Sequence, residues 1–175
     1  MKNLNLENVE EAKEFDRVPA GGYICKITMV EDVEEKEYLR IEYDFTEGKF
    51  AGYYRDLYTN KGFWGGSFIK SYKEKALPFF KSFITSVEKS NSGYRFDNDE
   101  KKLVGKLVGL VLSEEEYRSN NGDVKTRLYV DQIRSVDAIR KGEFKVSALK
   151  KLPAESKTEF DPNEFEEISD EGMPF

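Results

Sequence analysis

The sequence predicts a mainly β domain of five strands, with a helix between strands three and four and an acidic C-terminal tail. Three observations predict it. Five stretches alternate or run apolar in the manner of strands and are separated by turn residues. One stretch behind Pro78 carries apolar residues at helical spacing. Beyond Pro153 the periodicity stops and acid accumulates, so residues 153–175 are expected to be a disordered tail.

The first strand is expected within "RVPAGGYICKITMVEDV" (17–33), where turn residues give way to alternation. Tyr23, Cys25, Ile27 and Met29 fall on one face, and Ile24, Lys26, Thr28 and Val30 on the other. The second lies in "KEYLRIEYDFTEG" (36–48), with Leu39, Ile41, Tyr43 and Phe45 opposite Tyr38, Arg40, Glu42 and Asp44. "FAGYYRDLYTN" (50–60) reads as a third strand, completing a meander. Ser67 to Ala76 opens a helical region. In the stronger helix after Pro78, Phe79, Phe80, Phe83, Ile84 and Val87 share an apolar face. "KLVGKLVGLVL" (102–112) and "VKTRLYVDQIRSV" (124–136) are strands four and five, joined by an Asn120-Asn121-Gly122-Asp123 turn. The order strand, strand, strand, helix, strand, strand is that of an OB-fold, a small five-stranded barrel that commonly binds single-stranded nucleic acid. The boundaries expected are an acidic segment 1–16, a barrel domain 17–140, a connecting segment 141–152 and the tail 153–175.

Charge follows the same boundaries. The chain of 175 residues carries a net charge of -6. Residues 154–175 hold eight acids against Lys157 alone, and residues 1–16 hold five acids against Lys2 and Lys13, which leaves residues 17–153 at +4. A mildly basic body with an acidic tail suits a polyanion binder with an interaction tail. The single Cys25 lies in an apolar strand pattern and is expected to be a core thiol in a reducing, cytosolic compartment. No apolar run approaches the ~20 residues of a membrane span, and no apolar export segment follows Lys2.

Enzymatic readings find no support in the residues. The sequence contains no His, the commonest general base and metal ligand, and no phosphate-binding loop ending in Lys-Ser/Thr. "DNDEKK" (97–102) begins like a calcium loop but puts Lys101 at a ligand position and lacks the turn glycine. No metal or cofactor is expected, and the chain reads as a binding protein.

Residues 49–83 carry the binding signal. They hold seven basic residues, two acids and eleven aromatics. Cations neutralise phosphates, and flat rings stack on unpaired bases at about 1–3 kcal/mol each. Phe79, Phe80 and Phe83 are expected in the core. "YTNKGFWGG" (58–66) is a glycine-rich surface turn, so Tyr58, Lys61, Phe63 and Trp64 are candidate DNA contacts. Tyr54 is added because it lies in the same third-strand stretch as Tyr58. Lys70, Lys73 and, on the polar face of the second strand, Arg40 supply further charge. The loop between the last strands adds Tyr117, Arg118, Lys125 and Arg127, although Glu114, Glu115 and Glu116 oppose it. Trp64 has a second reading, an indole that closes one end of the barrel with its N–H on a carbonyl.

The chain ends on "ISDEGMPF". Chance would end a chain in Pro-Phe about once in five hundred. This end resembles the acidic tip of bacterial single-stranded-DNA-binding proteins: Asp170 and Glu171 match its acids, Met173 its aliphatic residue, and Pro174-Phe175 its terminus. Gly172 departs from the pattern by replacing an acid. The resemblance implies that the tip docks on helicases, nucleases or recombination partners, with Phe175 in an apolar socket and its carboxylate on a basic residue. "RVPAGGYICKI", "KGFWGG" and "ALPFFKSFI" are similar to phage and prophage single-stranded-DNA-binding proteins of replication or recombination clusters. A protein of that kind would work in the bacterial cytoplasm, as a monomer or a homo-oligomer. The alternative is an adaptor whose barrel binds no DNA and whose tail imitates a host tip.

Overall fold

The computed structural model describes residues 1–11 and 15–153. Its strands are β1 (Gly21–Val33), β2 (Tyr38–Phe45), β3 (Ser67–Ser71), β4 (Leu107–Arg118) and β5 (Val124–Arg134). They form one antiparallel sheet in the order β3-β2-β1-β4-β5. Helix α1 (Tyr53–Lys61) connects β2 to β3, α2 (Leu77–Ser90) connects β3 to β4, and α3 (Val136–Arg140) follows β5. The mainly β class, the five strands and the helix between strands three and four are as expected. The sheet is not closed: among the described residues no pairing joins β3 to β5. No described helix is long and apolar enough to cross a membrane.

β1 is shared by both halves of the sheet. Gly21–Lys26 pairs with β4, and Cys25–Val33 pairs with β2. A bulge falls between Ile27 and Met29, leaving Thr28 without a partner on β2. One extra residue reverses the alternation. The expected inward set Cys25, Ile27, Met29 therefore becomes Cys25, Ile27, Val30, and Val30 packs against the core. On β2 the expected face holds, with Leu39, Ile41, Tyr43 and Phe45 all buried. Cys25 is fully buried, and burial pushes its thiol well above the ordinary range, as befits an inert core thiol.

The stretch expected to be the third strand is instead α1. Phe50, Tyr53, Tyr54, Leu57 and Tyr58 recur at i, i+3, i+4, i+7 and i+8, a helical stripe masked by the strand propensity of tyrosine. Asp44 starts the helix from β2. One carboxylate oxygen accepts from the Tyr54 backbone N–H at 2.9 Å and the other from that of Arg55 at 3.1 Å. Such a cap satisfies N–H groups that a helix start leaves unpaired. Gly62 ends α1 at φ 79°, in the left-handed region where a Cβ is costly. The third strand proper, β3, occupies Ser67–Ser71, where a helix was expected to open.

α2 confirms the helix behind Pro78, with Phe83, Ile84 and Val87 buried. Phe79 does not belong to that face. It lies about 100° away from the Phe80, Phe83, Ile84, Val87 stripe and is 69% exposed. The fourth strand begins at Leu107, later than expected, because Glu100–Leu103 forms a 3-10 turn capped by the Asp99 side chain on Lys101 N–H at 3.1 Å. The fifth ends at Arg134, where the Ser135 hydroxyl accepts from Ala138 N–H and starts α3.

Residues 141–152 lie back on the sheet. Phe144 covers Gly22 so closely that a Cβ there would overlap its ring. Lys150 pairs with Glu115 beside β4, and Leu152 N–H donates to the Glu116 carboxylate at 3.0 Å.

Candidate nucleic-acid interface

The residues "YTNKGFWGG" fold as the end of α1 and the turn that returns to β3. The turn is held against the core from beneath. A Cβ on Gly66 would lie 2.5 Å from the Tyr54 ring and 2.8 Å from the Tyr43 carbonyl oxygen, so only glycine admits this approach. Trp64 follows the same contact: its Nε1–H donates to the Tyr43 carbonyl at 3.1 Å. Its indole is half-buried between Tyr54 and Tyr58, with ring centroids 6.4 Å and 6.3 Å away. The bond fixes the indole by its edge. Beside it Tyr58 is 55% exposed and Phe63 is 54% exposed, and Lys61 is exposed at the C-terminal end of α1. Tyr58 and Trp64 thus meet at the surface, with Lys61 and Phe63 exposed between them in sequence.

Tyr54 does not belong to that surface. It is 7% exposed, stacked on Phe45 with centroids 5.3 Å apart, and meets Tyr43 edge-on at 5.6 Å. Burial pushes its phenol up to about 12. Its place is in an aromatic core with Phe45 and Tyr43, because α1 turns Tyr54 and Leu57 inward.

The charges expected on β2 and β3 diverge. Arg40 pairs opposite the exposed Ile69, on the outer face. Its guanidinium is held by Glu42 at 2.9 Å and Glu31 at 3.5 Å, so two carboxylates already answer its charge. Lys70 pairs opposite Leu39 and therefore points to the inner face, where burial lowers its ammonium pKa. Lys73 is exposed in the turn after β3.

The remaining candidates sit on the β4–β5 hairpin, which turns at Gly122 as expected. The Arg127 guanidinium lies 4.8 Å from the Tyr117 ring centroid and its Nε is 2.9 Å from Glu115. Arg118 donates to the Gly122 carbonyl at 3.2 Å. Lys125 is exposed opposite Tyr117. The hairpin belongs to the β5 edge of the sheet, whereas α1 leads into the β3 edge. Asp170, Glu171, Met173, Pro174 and Phe175 lie outside the described residues.

A groove of about 660 Å³ adjoins the Trp64 surface. Lys26 and Thr28 of β1, Asp44 of β2, Gly52 and Arg55 at the start of α1, Trp64, and Val104 and Gly105 line it. Lys26 and Arg55 are not among the expected contacts. Lys26 was legible as an outward strand residue; Arg55 was not, because it reaches the groove only once 53–61 is a helix.

Compared with known families and with curated proteins, the chain matches no family model and no curated sequence.

Proposed function

We propose that this protein coats single-stranded DNA and recruits partner enzymes through the tip around Met173-Pro174-Phe175. The observation that carries the reading is the exposed segment at the end of α1: Tyr58 and Phe63 more than half exposed, Trp64 pinned by its edge, and Lys61 exposed in the same short stretch. Exposed rings next to a cation are what unpaired bases and their phosphates need.

The sheet order supports an OB-type barrel as the scaffold. A long first strand, bent by a bulge and shared between β2 and β4, lets a sheet curl toward closure. α2 fills the space between the third and fourth strands, the place of the helix in that fold. The phage-type resemblance of "KGFWGG" and of the tip points to the same function, in replication or recombination.

The adaptor reading draws on one observation of its own. Arg40 and Arg127 are both tied to glutamates, which leaves less free charge for phosphates than the sequence count implies. Titration of a labelled oligo-dT against the full chain and against a chain lacking Met173–Phe175 separates the two. The coating protein binds oligo-dT with or without the tip and loses only its protein partners. The adaptor binds none.

A further inference from the structure

The groove beside α1 brings two cations, a bulged strand residue and an indole into one wall. Its two cations come from different elements, Lys26 from β1 and Arg55 from the first turn of α1. Lys26 is exposed and has no ion pair among the described residues. Arg55 is 73% exposed in its side chain, and among the described residues its one ion-pair partner is its neighbour Asp56, at 3.8 Å. The one carboxylate in the groove wall, Asp44, is turned away to the backbone N–H groups of Phe45, Tyr54 and Arg55. Thr28, the extra residue of the β1 bulge, lies in the wall with a buried hydroxyl that has no hydrogen-bond partner among the described residues. Bulges commonly re-aim a side chain next to a site. The Trp64 indole forms another part of the wall, its N–H already satisfied by the Tyr43 carbonyl.

We propose that this groove holds one nucleotide of a bound single strand, its phosphate between Lys26 and Arg55 and its base against the Trp64 indole. A groove of about 660 Å³ is large enough for one nucleotide. The two cations supply charge that answers one phosphate, and the indole supplies the flat apolar face on which any base stacks. From Trp64 the strand continues over Tyr58, whose ring lies 6.3 Å away. This inference rests on the single-strand reading above and adds to it a path and two residues.

The test titrates labelled oligo-dT at several salt concentrations with the full chain, with Lys26→Ala/Arg55→Ala, and with Lys81→Ala/Lys89→Ala. The last pair removes the same charge from α2, which contributes nothing to the groove. The groove variant is expected to bind about tenfold more weakly at about 0.1 M salt, with a log–log salt slope shallower by about 0.7, the share of one phosphate. The α2 variant should keep the slope of the unaltered protein. Equal slopes and affinities in the groove variant and the unaltered protein overturn the groove while leaving single-strand binding intact. Equal losses in both variants reduce the effect to net charge and also overturn it. Failure of the unaltered protein to bind oligo-dT overturns the single-strand reading itself, and the groove with it.

Discussion

Phe63 and Trp64 are neighbours in sequence but differ in what holds them. Phe63 projects to solvent, while the Trp64 indole is anchored to the Tyr43 carbonyl and wedged between two tyrosine rings. Phe63→Ala should therefore cost about 1–3 kcal/mol of single-strand affinity and less than about 0.5 kcal/mol of stability. Trp64→Ala should cost both, because it removes a ring contact, a backbone hydrogen bond and a stacking face together. Urea denaturation read beside oligo-dT titration checks the pair; affinity unchanged in both variants would place the strand elsewhere. The second reading of Trp64, as an indole bonded to a carbonyl, describes its edge correctly, and the residue also lines the groove. In the sequence these are rivals, because the direction of a ring is fixed by tertiary contact. Tyr54 and Tyr58 differ for the same reason: both lie on the α1 stripe, yet Tyr54 packs on Phe45 in the core while Tyr58, one turn later, is 55% exposed.

At the scale of elements, α1 decides where the site is. Its stripe of Phe50, Tyr53, Tyr54, Leu57 and Tyr58 was present in the sequence, but β-favouring tyrosines and the neighbouring strands pointed to a third strand. The deciding group, Asp44, lies on a different element and was legible only as a polar residue of β2. Asp44→Ala is expected to destabilise the fold by about 2–3 kcal/mol, since it removes a cap and leaves buried N–H groups unpaired. Asp44→Asn keeps an acceptor and should recover part of that. Thermal unfolding measures both, and a midpoint unchanged by Asp44→Ala would show that α1 holds without its cap. The β4–β5 hairpin, by contrast, was readable from its Asn-Asn-Gly-Asp turn, because turn chemistry is local.

For the whole molecule, the aromatic core makes stability depend on alkali. Burial raises the phenols of Tyr54, to about 12, and of Tyr43 further still. The Tyr72 hydroxyl donates to Asp32 at 2.7 Å, and that hydrogen bond, with burial adding, raises it to about 12. Each raised phenol favours the fold while it is neutral. Their contribution is whole below the ordinary phenol value of about 10 and is lost as pH climbs through about 12. The melting temperature should hold to about pH 10 and fall steeply above it, with tyrosinate absorbance appearing in step with unfolding; ionisation of every tyrosine near 10 without unfolding would contradict the packing described. The strand count and the helix between strands three and four could be read from periodicity, but whether the sheet closes could not, since closure depends on how far a bulged strand curls.

In the proposed function, the body of this protein holds single strands by stacking as well as by charge. The most direct measurement is a titration of the full chain with labelled oligo-dT and with a duplex of equal length, across a range of salt. The protein is expected to prefer the single strand, with a slope of about -0.7 for each of a handful of neutralised phosphates. Binding should also persist at salt concentrations where a purely electrostatic complex dissociates. Equal affinity for duplex and single strand, or binding that salt abolishes completely, would contradict it.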